Sequence, residues 1–224
     1  MANSLFSCHS NILFDLDGTL SDPRQGIFNC FNRTLASLKR GPASHDELTA
    51  CIGPPLEASF SQLLDTTDVK KVAGAVDAFR ACYGKGGLFE NILYPGVSLF
   101  LKSLHQGGWQ LFVATAKKEE FARKILRHFQ IDSFFTDIIG AGGRQSGDKG
   151  NLIAEIIQRH TLSAAETIMI GDRSHDIVGA RANKIQSYGV LWGFGSHKEL
   201  EEAGATKTFV TLNELQEFLL APNA

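Results

Sequence analysis

Asn11-Ile12-Leu13-Phe14-Asp15-Leu16-Asp17-Gly18-Thr19 is the stretch on which the reading of this chain turns. An uncharged, mostly apolar run ends at Asp15. It is too short for a helix and reads as a buried strand. Turn-forming residues follow at once, Gly18 and then Asp22-Pro23, so the strand stops there. It delivers two carboxylates, one residue apart, to its carboxyl end.

Downstream the character changes. From about Gln25 to Glu90, apolar residues recur at helical spacing: Ile27, Phe28, Phe31, Leu35 and Leu38, then Leu56, Phe60, Leu63 and Leu64, then Val72, Val76 and Phe79. Gly41-Pro42, Gly53-Pro54-Pro55 and Gly84 to Gly87 separate them. This predicts a small helical bundle. After Tyr94-Pro95-Gly96 the spacing predicts strands at Gln110 to Ala114, Thr136 to Gly140, Thr167 to Ile170, Tyr188 to Leu191 and Thr208 to Val210. Helices are predicted at about Val97 to His105, Lys118 to Phe129, Lys149 to Arg159 and His175 to Ala182, with a last one ending at Leu220. Such alternation implies a parallel sheet with helices on both faces. The expected organisation is an α/β core of residues 1–21 and 95–224, interrupted after its first strand by a helical insertion of residues 22–94.

Bulk composition excludes other classes. The chain has 224 residues, 43% hydrophobic, with a formal charge of −2. No basic stripe suggests nucleic acid, so a small-molecule partner is expected. No positive segment followed by a long apolar run opens the chain, and no run approaches the roughly 20 apolar residues of a membrane span. A cytoplasmic monomer, or at most a homodimer, without membrane contact is expected. Cys8, Cys30, Cys51 and Cys82 are scattered and read as reduced, mostly buried thiols.

In an open parallel sheet, ligands bind beyond the carboxyl ends of the strands. The first strand ends at Asp15, with Asp17 beyond it. The second ends at Thr115, followed by Ala116, Lys117 and Lys118. The third leads to a glycine-rich loop, Ala141 to Gly150, containing Lys149. The fourth ends in Gly171-Asp172, with Asp176 one helical turn on. These types suit phosphoryl chemistry. One carboxylate can attack phosphorus and the other can shuttle a proton. A phosphate dianion repels carboxylates, so a cation is needed, and Mg²⁺ accepts a few carboxylate ligands. Asp15 and Asp172 can supply them, with Asp176 close by. Thr115 can bond a phosphoryl oxygen, Lys149 adds charge at a helix start, and Gly18 lets backbone N–H groups approach. Lys117 and Lys118 read as solvated residues opening a helix.

Phe14-Asp15-Leu16-Asp17-Gly18-Thr19-Leu20, Thr115, Lys149 and Gly171-Asp172-Arg173-Ser174-His175-Asp176 resemble, in order, the motifs of the haloacid dehalogenase superfamily. The resemblance implies a Rossmann-like core with a helical cap. Cys51-Ile52-Gly53-Pro54-Pro55-Leu56, Gly87-Leu88-Phe89-Glu90 and Tyr94-Pro95-Gly96 make the chain most similar to phosphoglycolate phosphatase-like and nucleotidase-like members. It further implies that Asp15 is nucleophile and metal ligand. Asp17 is the general acid/base and offers its backbone carbonyl to Mg²⁺. Thr115, Ala116, Gly18 and Lys149 bind phosphate, and Asp172 and Asp176 complete the metal site. Ala116 departs from the Asn common after the motif Thr.

The implied activity is hydrolysis of a small phosphorylated metabolite, such as phosphoglycolate or a nucleoside monophosphate. Pyrophosphate hydrolysis needs the same groups. A phosphoglucomutase-like transferase is disfavoured, because such relatives carry a His where Ile27 stands. A catalytically silent binding scaffold is disfavoured because every carboxylate is present.

Overall fold

The computed structural model describes residues 10–142 and 147–221. The chain forms two compact units, Met1–Ser21 with Leu93–Ala224, and Asp22–Ile92. In chain order, β1 (Asn11–Phe14) and β2 (Ser21–Asp22) precede four helices: α1 (Arg24–Ser37), α2 (His45–Ala50), α3 (Leu56–Leu63) and α4 (Val69–Lys85). After β3 (Ile92–Leu93) come α5 (Val97–Gln106), β4 (Gln110–Lys118), α6 (Glu119–His128), β5 (Phe135–Ala141) and α7 (Lys149–His160). Then follow β6 (Thr167–Gly171), α8 (Ser174–Ala182), β7 (Gln186–Val190), α9 (His197–Ala203), β8 (Lys207–Phe209) and α10 (Leu212–Leu220).

The larger unit is built on a six-stranded sheet of order β5-β4-β1-β6-β7-β8, parallel throughout. β2 and β3 form a separate two-stranded sheet. Strands covered on both faces need apolar side chains on both, and β1 and β6 are buried at every position. Successive side chains point to opposite faces. Leu13 packs with Phe112, Ile139, Leu152, Ile156 and Met169. Phe14 sets its ring edge-on to Phe100 of α5, 6.1 Å between centroids. Truncating Leu13 to Ala in such a core removes about 2–5 kcal/mol of stability.

The strand order places Asp15. From β1 the chain builds β4 and β5 on one side, then crosses to build β6, β7 and β8 on the other. β1 and β6 therefore flank the switch point, where a crevice opens beyond the carboxyl ends. The Asp15 N–H still donates to the Ile170 carbonyl at 2.9 Å, so this residue remains tied to the sheet as the chain turns.

In the helical unit, Phe31 of α1 lies 4.9 Å from Phe60 of α3 and 4.7 Å from Phe79 of α4. Apolar spacing does not reveal α2, because only Leu48 of its six residues is buried. Its signal is a capping box, in which the Ser44 hydroxyl accepts from the Glu47 N–H and the Glu47 carboxylate accepts from the Ser44 N–H. The cysteines correct one expectation. Cys30 of α1 and Cys82 of α4 form a disulfide, with Cα atoms 5.7 Å apart. Packing of α1 on α4 brings together residues that are 52 apart in sequence, which spacing alone does not show. Cys51 is free and buried, and Cys8 lies outside the described residues. Among the described residues, no helix is long and apolar enough to cross a membrane.

Candidate active site

Asp15 leaves β1 only 8% exposed. Its Oδ1 lies 2.9 Å from Lys149 Nζ, and the same ammonium lies 2.8 Å from Asp176 Oδ1. A third bond runs from Lys149 Nζ to the Ala114 carbonyl at 2.8 Å. Lys149 owes its place to the start of α7, where Asp148 caps the helix by accepting from the Asn151 N–H. Residues 143–146 of the glycine-rich loop before it lie outside the described residues. Burial opposes the charge on Lys149, but Asp15 and Asp176 outweigh it and hold its pKa above the ordinary lysine value.

Asp172 and Asp176 are fully buried. Asp172 follows β6; its Oδ2 accepts from the Phe194 N–H at 2.8 Å and its Oδ1 from the Thr19 hydroxyl at 3.2 Å. Asp176 sits in the first turn of α8, where its Oδ2 accepts from the Arg173 N–H at 3.1 Å. Burial first, then the charges of Asp15 and Asp176, push the Asp172 carboxyl up to about 8. Burial also raises Asp176, against the pull of Lys149.

Gly18 takes φ +85°, in the left-handed region, and a Cβ there would lie 2.2 Å from Asp172 Oδ2. Its own N–H donates to the Ser21 carbonyl at 2.8 Å. Gly18 thus makes room for Asp172 while its N–H closes the turn. Thr115 is buried, and its Oγ1 accepts from the Lys117 N–H at 3.2 Å. Ala116, beside it, is exposed. Asp17 Oδ2 pairs with Lys117 Nζ at 2.8 Å. Burial raises the Asp17 pKa, and Lys117 opposes that.

One oxygen from each of Asp15, Asp172 and Asp176 lies within 4.8 Å of the others. Two of these three carboxyl groups, Asp15 and Asp176, pair with the Lys149 ammonium, so the site with all three ionised would carry a formal −2. Buried charge of that size needs a counter-ion, and a hard divalent cation with oxygen preference fits both charge and donor set. The residues therefore fit Mg²⁺.

Several contributors escape the sequence reading. Lys117, expected to be solvated at a helix start, is instead part of β4, and its side chain is 7% exposed against Asp17. Only Lys118 is solvated, pairing with Glu120. Thr19 and the loop after β7 hold Asp172, and the Trp192 indole N–H donates to the Thr19 carbonyl at 3.0 Å. The sheet rule that locates the other groups also points to this loop, because it too follows the carboxyl end of a strand.

The family described as haloacid dehalogenase-like hydrolase matches residues 12–190. A 5'-nucleotidase of Pseudomonas aeruginosa is 39% identical over 94% of this chain and 96% of its own length. The tyrosine-protein kinase PtkA of Mycobacterium tuberculosis is 34% identical over 93% of this chain and 72% of its own. The crystal structure of a predicted phosphatase from Clostridium acetobutylicum superposes with a TM-score of 0.88 at 35% identity, covering 96% of this chain and 99% of that one.

Proposed function

The chain belongs to the haloacid dehalogenase-like hydrolase family, and we propose that it is a Mg²⁺-dependent phosphatase acting on a small phosphomonoester of the nucleoside monophosphate class. The observation that carries this reading is the buried set of Asp15, Asp172 and Asp176 around Lys149 at the switch point of the sheet. The choice of ester rests on the 39% identity to the Pseudomonas 5'-nucleotidase.

Asp15, Asp172, Asp176 and the Asp17 backbone carbonyl would hold Mg²⁺, whose charge offsets that of the substrate dianion. Asp15 Oδ1 is engaged by Lys149, which leaves Oδ2 to attack phosphorus. The Asp15–phosphorus bond forms as the ester bond breaks, and Asp17 gives its proton to the departing oxygen. Asp17 then takes a proton from water as the water oxygen attacks phosphorus, releasing inorganic phosphate and restoring Asp15. The Thr115 hydroxyl and the Ala116 N–H steady the phosphoryl oxygens, and the Lys149 charge stabilises them in the transition state. Uncatalysed monoester hydrolysis is slow enough that enzymes accelerate it up to ~10²¹-fold, so positioning and charge must supply most of the effect.

The test is phosphate release from a panel of phosphorylated metabolites with Mg²⁺, beside Asp15→Asn and a chelator control. Turnover confined to the wild type with metal supports the reading. Release no greater than from Asp15→Asn refutes it. The name of the Mycobacterium relative favours a second reading, transfer to a phenolic hydroxyl in place of water. Release of phosphate without an added acceptor decides against it.

A further inference from the structure

Lys117 is a buried cation with no role in the chemistry just described. It lies in an irregular stretch of β4. Thr115 pairs with Gly140 of β5 and Lys118 pairs with Ala141, so Ala116 and Lys117 together bulge out of the ladder. Bulges re-aim side chains and gather beside active sites. Gly140 accommodates this one, because a Cβ there would lie 2.5 Å from the Lys117 carbonyl oxygen and 2.9 Å from the Glu119 nitrogen. A second bond fixes the bulge from within, as the Lys117 N–H donates to Thr115 Oγ1.

The two oxygens of Asp17 differ accordingly. Oδ2 is held by Lys117 Nζ at 2.8 Å. Oδ1 is buried and has no hydrogen-bond partner among the described residues. A carboxylate anchored through one oxygen presents the other in a fixed direction, and proton transfer in a phosphatase needs such a direction.

We propose that Lys117 is a positioning residue that clamps Asp17 through Oδ2 and thereby dedicates Oδ1 to proton transfer with the ester and water oxygens. The proposal rests on the phosphatase reading above. It does not require Lys117 to touch the substrate or to change its own protonation.

The experiment exploits leaving groups. 2,4-Dinitrophenolate departs without a proton, whereas an alkoxide needs one. kcat/KM is measured for 2,4-dinitrophenyl phosphate and for a nucleoside 5'-monophosphate, with wild type, Lys117→Met and Lys117→Arg. General acid catalysis contributes about 10²–10⁴-fold, so Lys117→Met should lose at least about tenfold on the nucleotide. It should stay within about threefold of wild type on the dinitrophenyl ester, which shows on the same preparation that the protein is folded and that Asp15 still attacks. Lys117→Arg, which keeps a donor and a charge, should recover part of the nucleotide activity. In an Asp17→Asn background, adding Lys117→Met should change neither rate. Equal losses on both esters, or no loss on either, overturn the proposal while leaving the phosphatase reading in place. A wild type that hydrolyses neither ester overturns both.

Discussion

Asp172→Asn should abolish turnover and yet stabilise the metal-free protein. The reason lies in the surroundings of Asp172, which is fully buried with its pKa pushed up to about 8, first by burial and then by Asp15 and Asp176. Its reference value is 3.8. An acid whose pKa rises on folding has its charged form disfavoured in the native state. The penalty is absent well below pH 3.8, grows as pH rises through the window up to about 8, and is constant above it. At pH 7, folding without metal draws a proton onto Asp172 across about three pH units, an unfavourable term on the order of 4 kcal/mol. Asn carries no such term. Its carbonyl can accept from the Phe194 N–H, and its amide can donate to the Thr19 hydroxyl, so both partners remain satisfied.

The assay is thermal or urea unfolding in chelator between pH 5 and pH 8, wild type beside Asp172→Asn. The variant should melt higher, by roughly 5–15 °C at pH 7. The gap should widen as pH rises. Saturating Mg²⁺ should narrow it, because ligand at a hundred times its Kd stabilises the wild type by about 2.7 kcal/mol. No gain in chelator, or a gap that does not vary with pH, would refute the reasoning. The site would then not be a store of unfavourable charge awaiting a cation.

Other outcomes follow from the same contacts. Asp137 is held to about pKa 2: burial opposes its charge, but His160, the Ile138 N–H, Arg159 and Arg123 outweigh it. Its folded pKa is depressed, so its contribution is present above pH 3.8 and lost as pH falls toward 2. Asp137→Asn should therefore lower stability by about 2 kcal/mol at neutral pH, with the difference shrinking below pH 4 in acid titrations of unfolding. Thr19→Val removes a donor to Asp172 and should weaken Mg²⁺ activation about 10–100-fold, read as the half-saturating metal concentration. The Cys30–Cys82 bridge closes a loop of 52 residues, so Cys30→Ser with Cys82→Ser should lose about 4 kcal/mol. Thiol titration of the denatured wild type should give two thiols of its four cysteines before reduction and four after, and four before reduction would exclude the bridge.

The sheet was legible because buried parallel strands have no polar face. β1 and β6 are short apolar runs that stop at a carboxylate, and burial on both faces leaves them no other composition. Boundaries were less legible where tertiary context decides them. β4 runs to Lys118, four residues beyond its apolar run, because β5 continues beside it through the bulge. β7 begins at Gln186 and includes Gly189, neither of which has a strand's usual composition. α9, with two buried residues in seven, offers hardly any apolar period to detect.

Within the site, legibility divided by the kind of work each group does. Asp15, Asp172, Asp176 and Lys149 lie where strands end and helices start, so a rule about sheets finds them. Thr19 and Phe194 hold Asp172 and Lys117 holds Asp17, and nothing in their types distinguishes them from a turn residue, a loop aromatic and a surface lysine. Phe194 acts through its backbone N–H, for which any residue but proline would serve, so its identity carries no information. Lys117 does carry information, in its charge, but only once the two-residue bulge turns it toward Asp17. A lysine one position further along the same strand, Lys118, faces solvent. The difference between a clamp and a solubilising charge is thus one residue of register, which the pairing with β5 sets and the local sequence does not.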